Sequence, residues 1–290
     1  RRYAGELMRG LAALGVNLRA WLAGWHIEPM RAQLADELAA LGLNVPVDVA
    51  RVPGKLLYEE PGLSLWRCWP RWLPPPQWLP READIYHAIS WPVPLDRRVP
   101  TVLTIHDLFA LRQPTWVPPN VLSVHRAIAA LAPRAAQIIV DSDATGAEVL
   151  ALTRVSPERI TTVPLAVDHE RFGRETSPEQ VAAAQEHHGL QRPYFMTIGT
   201  IEPRRNTARL VEAYDLWCER NGPELDLLVV GRRIGSYPEA EEVLARPRRG
   251  TVHVRTDLPD GDLVALMRGA LGFVFVSLVE GFGLPVLEAF

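Results

Sequence analysis

Three stretches of the chain carry residue types that could do chemistry, and each follows an apolar run with the texture of a buried strand. One is Glu280-Gly281-Phe282-Gly283-Leu284-Pro285-Val286-Leu287-Glu288, directly behind the apolar segment 271–277. Pro285 stands where a helix should begin, since its missing N–H costs nothing there, so the amides of residues 283–286 should point at a ligand. A helix start at the carboxyl end of a parallel strand is an anion site. Glu280 before it and Glu288 a turn inside it can face one crevice, and two acids beside an anion site point to recognition of hydroxyl groups. Taken alone, they could equally be solvated or capping acids, which the helix dipole favours. A second stretch, Gly199-Thr200-Ile201-Glu202-Pro203-Arg204-Arg205-Asn206, sets two adjacent arginines before a helix that Asn206 should cap. That is a second anion site, or else a pair of solvated arginines. In the third, His106-Asp107 follows the run 101–105 and should face the crevice at the strand's end. A lone histidine is as often a satisfied structural group, with Asp107 to orient it.

These residues need a frame, and the chain supplies one by alternation. Leu7, Leu11 and Leu14 fall at helical spacing and Gly15 closes the segment. A strand is predicted over 16–22, a helix over 30–41 closed by Gly42, and a strand over 43–49. Residues 85–89, 101–105, 137–140 and 160–163 read as further strands, with helices over 118–132 and 144–152, the latter capped by Ser142 and Asp143. After segment 164–172 a second alternation begins. Helices are predicted over 178–188, from 206, and over 238–245 and 259–268, with strands over 194–198, 225–231, 252–254 and 272–276, the last buried on both faces. Gly231 ends one of these strands, where backbone could approach a ligand. His187 and His188 are adjacent on a helix and therefore make a poor metal pair; they should face solvent. Alternation of this kind gives parallel sheets covered by helices.

Composition narrows the function classes. The chain has 290 residues, 48% hydrophobic, and a formal charge of −3, which argues against a nucleic-acid partner. Lys55 is the only lysine among 31 basic residues, a mark of codon usage more than of function. Cys68 and Cys218 lack any metal-type spacing, so no zinc site or disulfide framework is expected. No run is long and apolar enough to span a bilayer, and no signal peptide opens the chain; a cytoplasmic protein is the expectation. Segment 51–80 is rich in proline and tryptophan. It reads as an excursion capping the sheet or, through Trp66, Trp69, Trp72 and Trp78, as peripheral contact with the inner face of a membrane.

The pair Glu280 and Glu288 with Gly-Phe-Gly-Leu-Pro between them resembles the signature of the retaining nucleotide-sugar glycosyltransferases of family 4, which have the GT-B fold. Residues 199–206 resemble the family's GTxEPRKN element, with arginine at 205 where lysine is usual. Residues 104–108 (TIHDL), 163–168 (VPLAVD) and 225–231 resemble further elements, all in the family's order. The resemblance implies an α/β protein of two doubly wound Rossmann-like domains facing across a cleft, the second incomplete. Residues 1–168 would bind the acceptor, with the first strand missing, and 169–290 the nucleotide sugar, truncated after Phe290.

It further implies retaining, metal-independent hexosyl transfer, of mannosyltransferase type, from a GDP-mannose or UDP-sugar donor. The acceptor would be a saccharide or lipid-linked saccharide in polysaccharide or cell-envelope synthesis. Glu280, His106, Arg204 and Arg205 would be catalytic. Gly199, Thr200, Glu202, Gly231, Gly281, Phe282, Gly283, Leu284 and Glu288 would bind the donor. No cofactor and no metal are expected, because Asp141-Ser142-Asp143 reads as a helix cap and the arginines supply the positive charge. Arginine binds phosphate as a fork and lysine as a point charge, so the change at 205 alters geometry. A glycosidase would need two carboxylates from well-separated strand ends and no arginine cluster. The remaining alternatives are a sugar-nucleotide-binding pseudoenzyme, an inactive fragment and a GT-B epimerase.

Overall fold

The computed structural model describes residues 2–24, 28–51, 83–89, 99–173, 175–233 and 237–290. Lys55, Cys68 and the tryptophans 66, 69, 72 and 78 lie outside them, and with them the membrane-contact expectation. Contacts divide the chain into two compact units, Arg1–Pro114 with Pro119–Val163, and Thr115–Pro118 with Pro164–Phe290. Val163 still donates its N–H to the Val140 carbonyl, at 2.8 Å. Asp168 instead caps the following helix His169–Phe172, its Oδ1 accepting from Arg171 N at 3.0 Å. Segment 164–168, expected to close the first unit, therefore goes with the second.

The first unit has parallel strands β1 (Ala20–Gly24) and β2 (Val47–Arg51) in one sheet. Its other sheet has β3 (Tyr86–Ala88), β4 (Thr101–Ile105), β5 (Gln137–Val140) and β6 (Ile160–Thr162) in that order, all parallel. Trp21 on β1 meets Tyr86 on β3 edge to face at 6.2 Å. The core forms where Leu103, Ile105, Ile138 and Val140 meet Ile128 of helix Pro119–Leu131 and Val149 of helix Asp143–Leu152. Ser142 caps the latter helix as expected, accepting from Thr145 N at 3.1 Å.

In the second unit the order is β10 (Gly272–Phe273), β7 (Tyr194–Ile198), β8 (Asp226–Val230), β9 (Val252–Arg255), again all parallel. Strand β8 shows why an unbroken apolar run is required at its position. Leu227 and Val229 join the cluster with Val211, Tyr214 and Cys218 of helix Thr207–Asn221, whereas Leu228 and Val230 join the opposite cluster with Met196, Ala184 and Leu266. Successive side chains alternate between faces, so both faces must be apolar. Helix Pro178–His187 opens on a capping box of Ser177 and Gln180. Two expectations change here. Strand β10 pairs only through two residues and is half-buried; Val274 N still donates to the Met196 carbonyl at 2.8 Å, and the chain then builds the loop described below. Asn206 is not a side-chain cap: it is left-handed, φ 58°, and its amide instead donates to the Val276 carbonyl at 3.3 Å. Asparagine tolerates that conformation better than most residues.

Candidate active site

The loops after β7 and β10 converge on one cluster in the second unit. The turn Pro203–Arg205 leads into left-handed Asn206, and this local kink keeps both arginines beside the strand ends. Leu278 N donates to the Arg204 carbonyl at 2.8 Å and so ties the two loops together. Arg204 Nη1 donates to Glu280 Oε2 at 2.9 Å and its Nε to Glu202 Oε1 at 2.8 Å. Thr200 Oγ1 donates to the same Glu202 oxygen at 2.6 Å. Arg205 Nη1 donates to Glu280 Oε1, and lies 3.5 Å from Ser277 Oγ. The four charged side chains are only 13–17% exposed, so their attraction is less screened than that of a surface pair. Two arginines and two glutamates here balance in charge.

Backbone glycines make the cluster possible. A Cβ at Gly231 would stand 1.8 Å from the Gly199 carbonyl oxygen, and one at Gly199 would stand 3.1 Å from Arg205 Nε. The ends of β7 and β8 can therefore close together only without side chains, and the Arg205 guanidinium lies along the bare backbone. The Phe275 ring is 5.9 Å from the same guanidinium, within cation–π range. Gly281 and Phe282 follow Glu280. Gly283, at φ 94°, then turns the chain into helix Leu284–Ala289, where Glu288 is half-buried.

His106 sits in the first unit, one residue past β4. Asp107 could have oriented it, but the carboxylate hydrogen-bonded to the ring is that of Asp141, just past β5, with Oδ2 2.6 Å from His106 Nδ1. Asp107 instead approaches His125, at 4.0 Å. The hydrogen bond to Asp141 raises His106 above the ordinary histidine value against the opposing effect of burial. The charges of Asp141 and Asp107 and a hydrogen bond to the Ile89 backbone add to the rise. Nearby, His87 Nε2 is 2.8 Å from Thr104 Oγ1, and burial lowers that histidine. Asp143 of the same acidic triplet accepts from Thr162 at 2.7 Å. The three residues thus serve a histidine, a helix cap and a neighbouring strand.

Of the histidine pair, His187 is exposed as expected, its side chain 70% accessible, whereas His188 departs from expectation. His187 Nδ1 and His188 Nε2 lie 3.2 and 2.9 Å from one oxygen of Asp262, and the rings stack at 4.6 Å. His188 leaves the helical path at the C-cap, φ −96° and ψ 6°, so helical spacing no longer separates the rings. Its side chain is 10% exposed. Hydrogen bonds to a single carboxylate account for the group.

Residues 1–171 match the family model described as Glycosyltransferase Family 4, and residues 180–290 that described as Glycosyl transferases group 1. The chain belongs to glycosyltransferase family 4. The family 4 chain is 30% identical over 207 residues to the O-antigen chain mannosyltransferase B of Escherichia coli, an alignment covering 71% of this chain and 54% of that protein. It is 30% identical over 197 residues to a serotype-specific mannosyltransferase WbdA of the same species, covering 65% and 24%. The chain thus spans about half or less of these relatives. Among solved structures, Anabaena Alr3699/HepE in complex with UDP and glucose superimposes with a TM-score of 0.62 at 16% identity, over 99% of this chain and 74% of that one. The family 4 chain has the α/β, GT-B class of fold, with Rossmann-like units. Among the described residues, no helix is long and apolar enough to cross a membrane.

Of the site residues expected from sequence, Thr200, Glu202, Arg204, Arg205 and Glu280 meet directly, with Gly199 beneath Arg205 and Gly231 packed against Gly199. Phe275, Ser277 and Asp141 were missed. Phe275 lies within the predicted final strand and Ser277 directly after it. Asp141 was hidden by a local explanation, the helix cap, although two neighbouring strands ending in Ile-His and Val-Asp were a usable signal.

Proposed function

We propose that the protein transfers a hexosyl group, of mannosyl type, from a nucleotide sugar such as GDP-mannose or a UDP-sugar. The acceptor is a saccharide or lipid-linked saccharide in polysaccharide or cell-envelope synthesis, and the reaction is retaining and metal-independent. The observation that carries this reading is the clamp of Glu280 by Arg204 and Arg205 at the carboxyl ends of β7 and β10. The mannosyltransferase names of the relatives support the sugar.

Breaking the sugar–phosphate bond leaves positive charge on the ring and sends the bonding electrons to the departing diphosphate; preorganised groups for both charges lower the barrier. Arg204 and Arg205 meet the diphosphate in this scheme, in place of a metal. The diphosphate competes with Glu280 for the guanidiniums and so releases that carboxylate toward the sugar hydroxyls near the reacting carbon. Arg204 keeps Glu202 as a counterion throughout. The backbone of Gly199, Thr200 and Gly231 passes the nucleotide, that of residues 281–284 faces the diphosphate, and Glu288 accepts from the ribose hydroxyls. His106 contacts the sugar. The acceptor hydroxyl attacks on the face the phosphate leaves, and its proton passes to the phosphate.

The test is release of nucleoside diphosphate from GDP-mannose and from UDP-glucose by the full-length protein in EDTA, with mannose oligosaccharides or lipid extract as acceptors. One donor should be consumed, the product should keep the donor's anomeric configuration by NMR, and Glu280→Ala should be inactive. Undiminished turnover in that variant overturns the site assignment. Binding without turnover makes the protein a pseudoenzyme, and a rearranged nucleotide sugar without acceptor makes it an epimerase.

A further inference from the structure

Strand register, rather than loop packing, brings His106 and Asp141 together. Ile105 and Val140 are direct partners on β4 and β5, so the next residue of each strand falls beside the other. Asp141 is 2% exposed. Its Oδ2 is hydrogen-bonded to His106, while Oδ1 is buried without a hydrogen-bond partner among the described residues. An isolated carboxylate in such a position is costly, and an aliphatic side chain would suit the sheet interior better. Asp141 thus has one polar neighbour to act on.

The ring it acts on is otherwise confined. Tyr3 stands edge-on to the imidazole, with centroids 4.9 Å apart and planes at 88°. Thr145 Oγ1 donates to the His106 carbonyl at 3.3 Å, which holds the backbone. The side chain remains 33% exposed, so a ligand can still reach it.

We propose that Asp141 is the positioning residue for His106: it fixes the ring plane and keeps a proton on Nδ1, so that His106 meets the donor sugar in one orientation and one tautomer. The inference rests on the role of His106 in the proposed function. The groups that face the ring are Asp141 just past β5, Asp107 on its own loop, Tyr3 from the helix Arg2–Ala13 and the Ile89 backbone. His87 reaches the same corner through Thr104, and His125 lies beyond Asp107. The two carboxylates are the charges that favour the imidazolium, and Asp141 is the one in contact.

Nitrogen NMR of the full-length wild-type protein reads the tautomer directly and needs no variant. The neutral His106 ring should carry its proton on Nδ1, and the ring should titrate above the ordinary histidine value. Asp141→Asn should lower that titration. With GDP-mannose as donor it should reduce kcat about 10- to 100-fold, with donor KM within about threefold, the mark of a group acting in the transition state. Added to His106→Ala, it should cost nothing more, because the two act as a unit. An Nε2 proton in the wild type, or an unchanged kcat and pH profile in Asp141→Asn, overturns the proposal. Wild-type transfer in His106→Ala would remove the reading of His106 and this inference with it. Loss of transfer there alongside a fully active Asp141→Asn would sink only the inference.

Discussion

In the first unit the charged pair of His106 and Asp141 is set by the sheet, whereas in the second the cluster of Glu202, Arg204, Arg205 and Glu280 is assembled by two loops. Both lie at the carboxyl ends of adjacent parallel strands, where side chains are free of the ladder. The first can change only if β4 and β5 shift. The second is held by ion pairs and by two hydrogen bonds between the loops, Leu278 N to the Arg204 carbonyl and the Asn206 amide to the Val276 carbonyl, and an anionic ligand can compete with the ion pairs. A fixed histidine and an exchangeable arginine clamp suit different tasks, orienting one group and capturing a charged one.

The largest effect that would sharpen this contrast is at Glu280. Glu280→Gln should cut transfer by at least about 100-fold, as loss of a group aligned with the transition state does. Because it also frees both guanidiniums, nucleoside diphosphate should bind up to about tenfold tighter. Next in size is Arg205→Ala, which should weaken nucleoside diphosphate binding about 10- to 100-fold, with a gentler dependence on salt than the wild type. Arg205→Lys should retain more affinity than alanine, since it keeps the charge and loses only the fork.

Gly231→Ala tests the floor of the clamp. The added methyl meets the Gly199 carbonyl and should destabilise the second unit by about 1–3 kcal/mol in thermal unfolding, as overpacking typically does. Nucleotide binding should fall with it. Smaller again is Glu288→Ala, expected to weaken nucleotide binding about tenfold while leaving transfer at saturating donor largely intact.

The smallest is a pH effect confined to the first unit. His106 is raised above its ordinary value of 6.5, so its pairing with Asp141 adds stability that is fully present below pH 6.5 and is lost as pH rises through the raised value. Urea unfolding of wild type and His106→Gln should therefore differ most on the acidic side and converge on the alkaline side. A gap that widens with rising pH would contradict the pair.

The sequence disclosed the elements where local and global preference agree. Strands Thr101–Ile105, Gln137–Val140 and Tyr194–Ile198 were legible to the residue, because apolar runs there end abruptly in polar residues. Strands β1 and β2 were displaced toward the N-terminus in the reading over 16–22 and 43–49. Apolar Val16 and Leu43 lie in the approach to each ladder, and Pro46 and Arg19 mark a later start that hydrophobicity alone does not reveal. The second unit's site was legible because its residues sit close together in short motifs. Asp141 was not, since only strand register joins it to a histidine 35 positions away. Asn206 and His188 were misread for a related reason: rules for helix interiors and caps fail where the backbone leaves the helical path.

The most direct measurement is calorimetric binding of GDP, UDP, ADP and dTDP to the full-length protein without added metal, using Glu280→Gln and Glu288→Ala for comparison. One nucleotide should bind, more tightly to Glu280→Gln and more weakly to Glu288→Ala. Binding of none, or loss of binding in Glu280→Gln, would contradict a clamp that exchanges its own carboxylate for the donor's diphosphate.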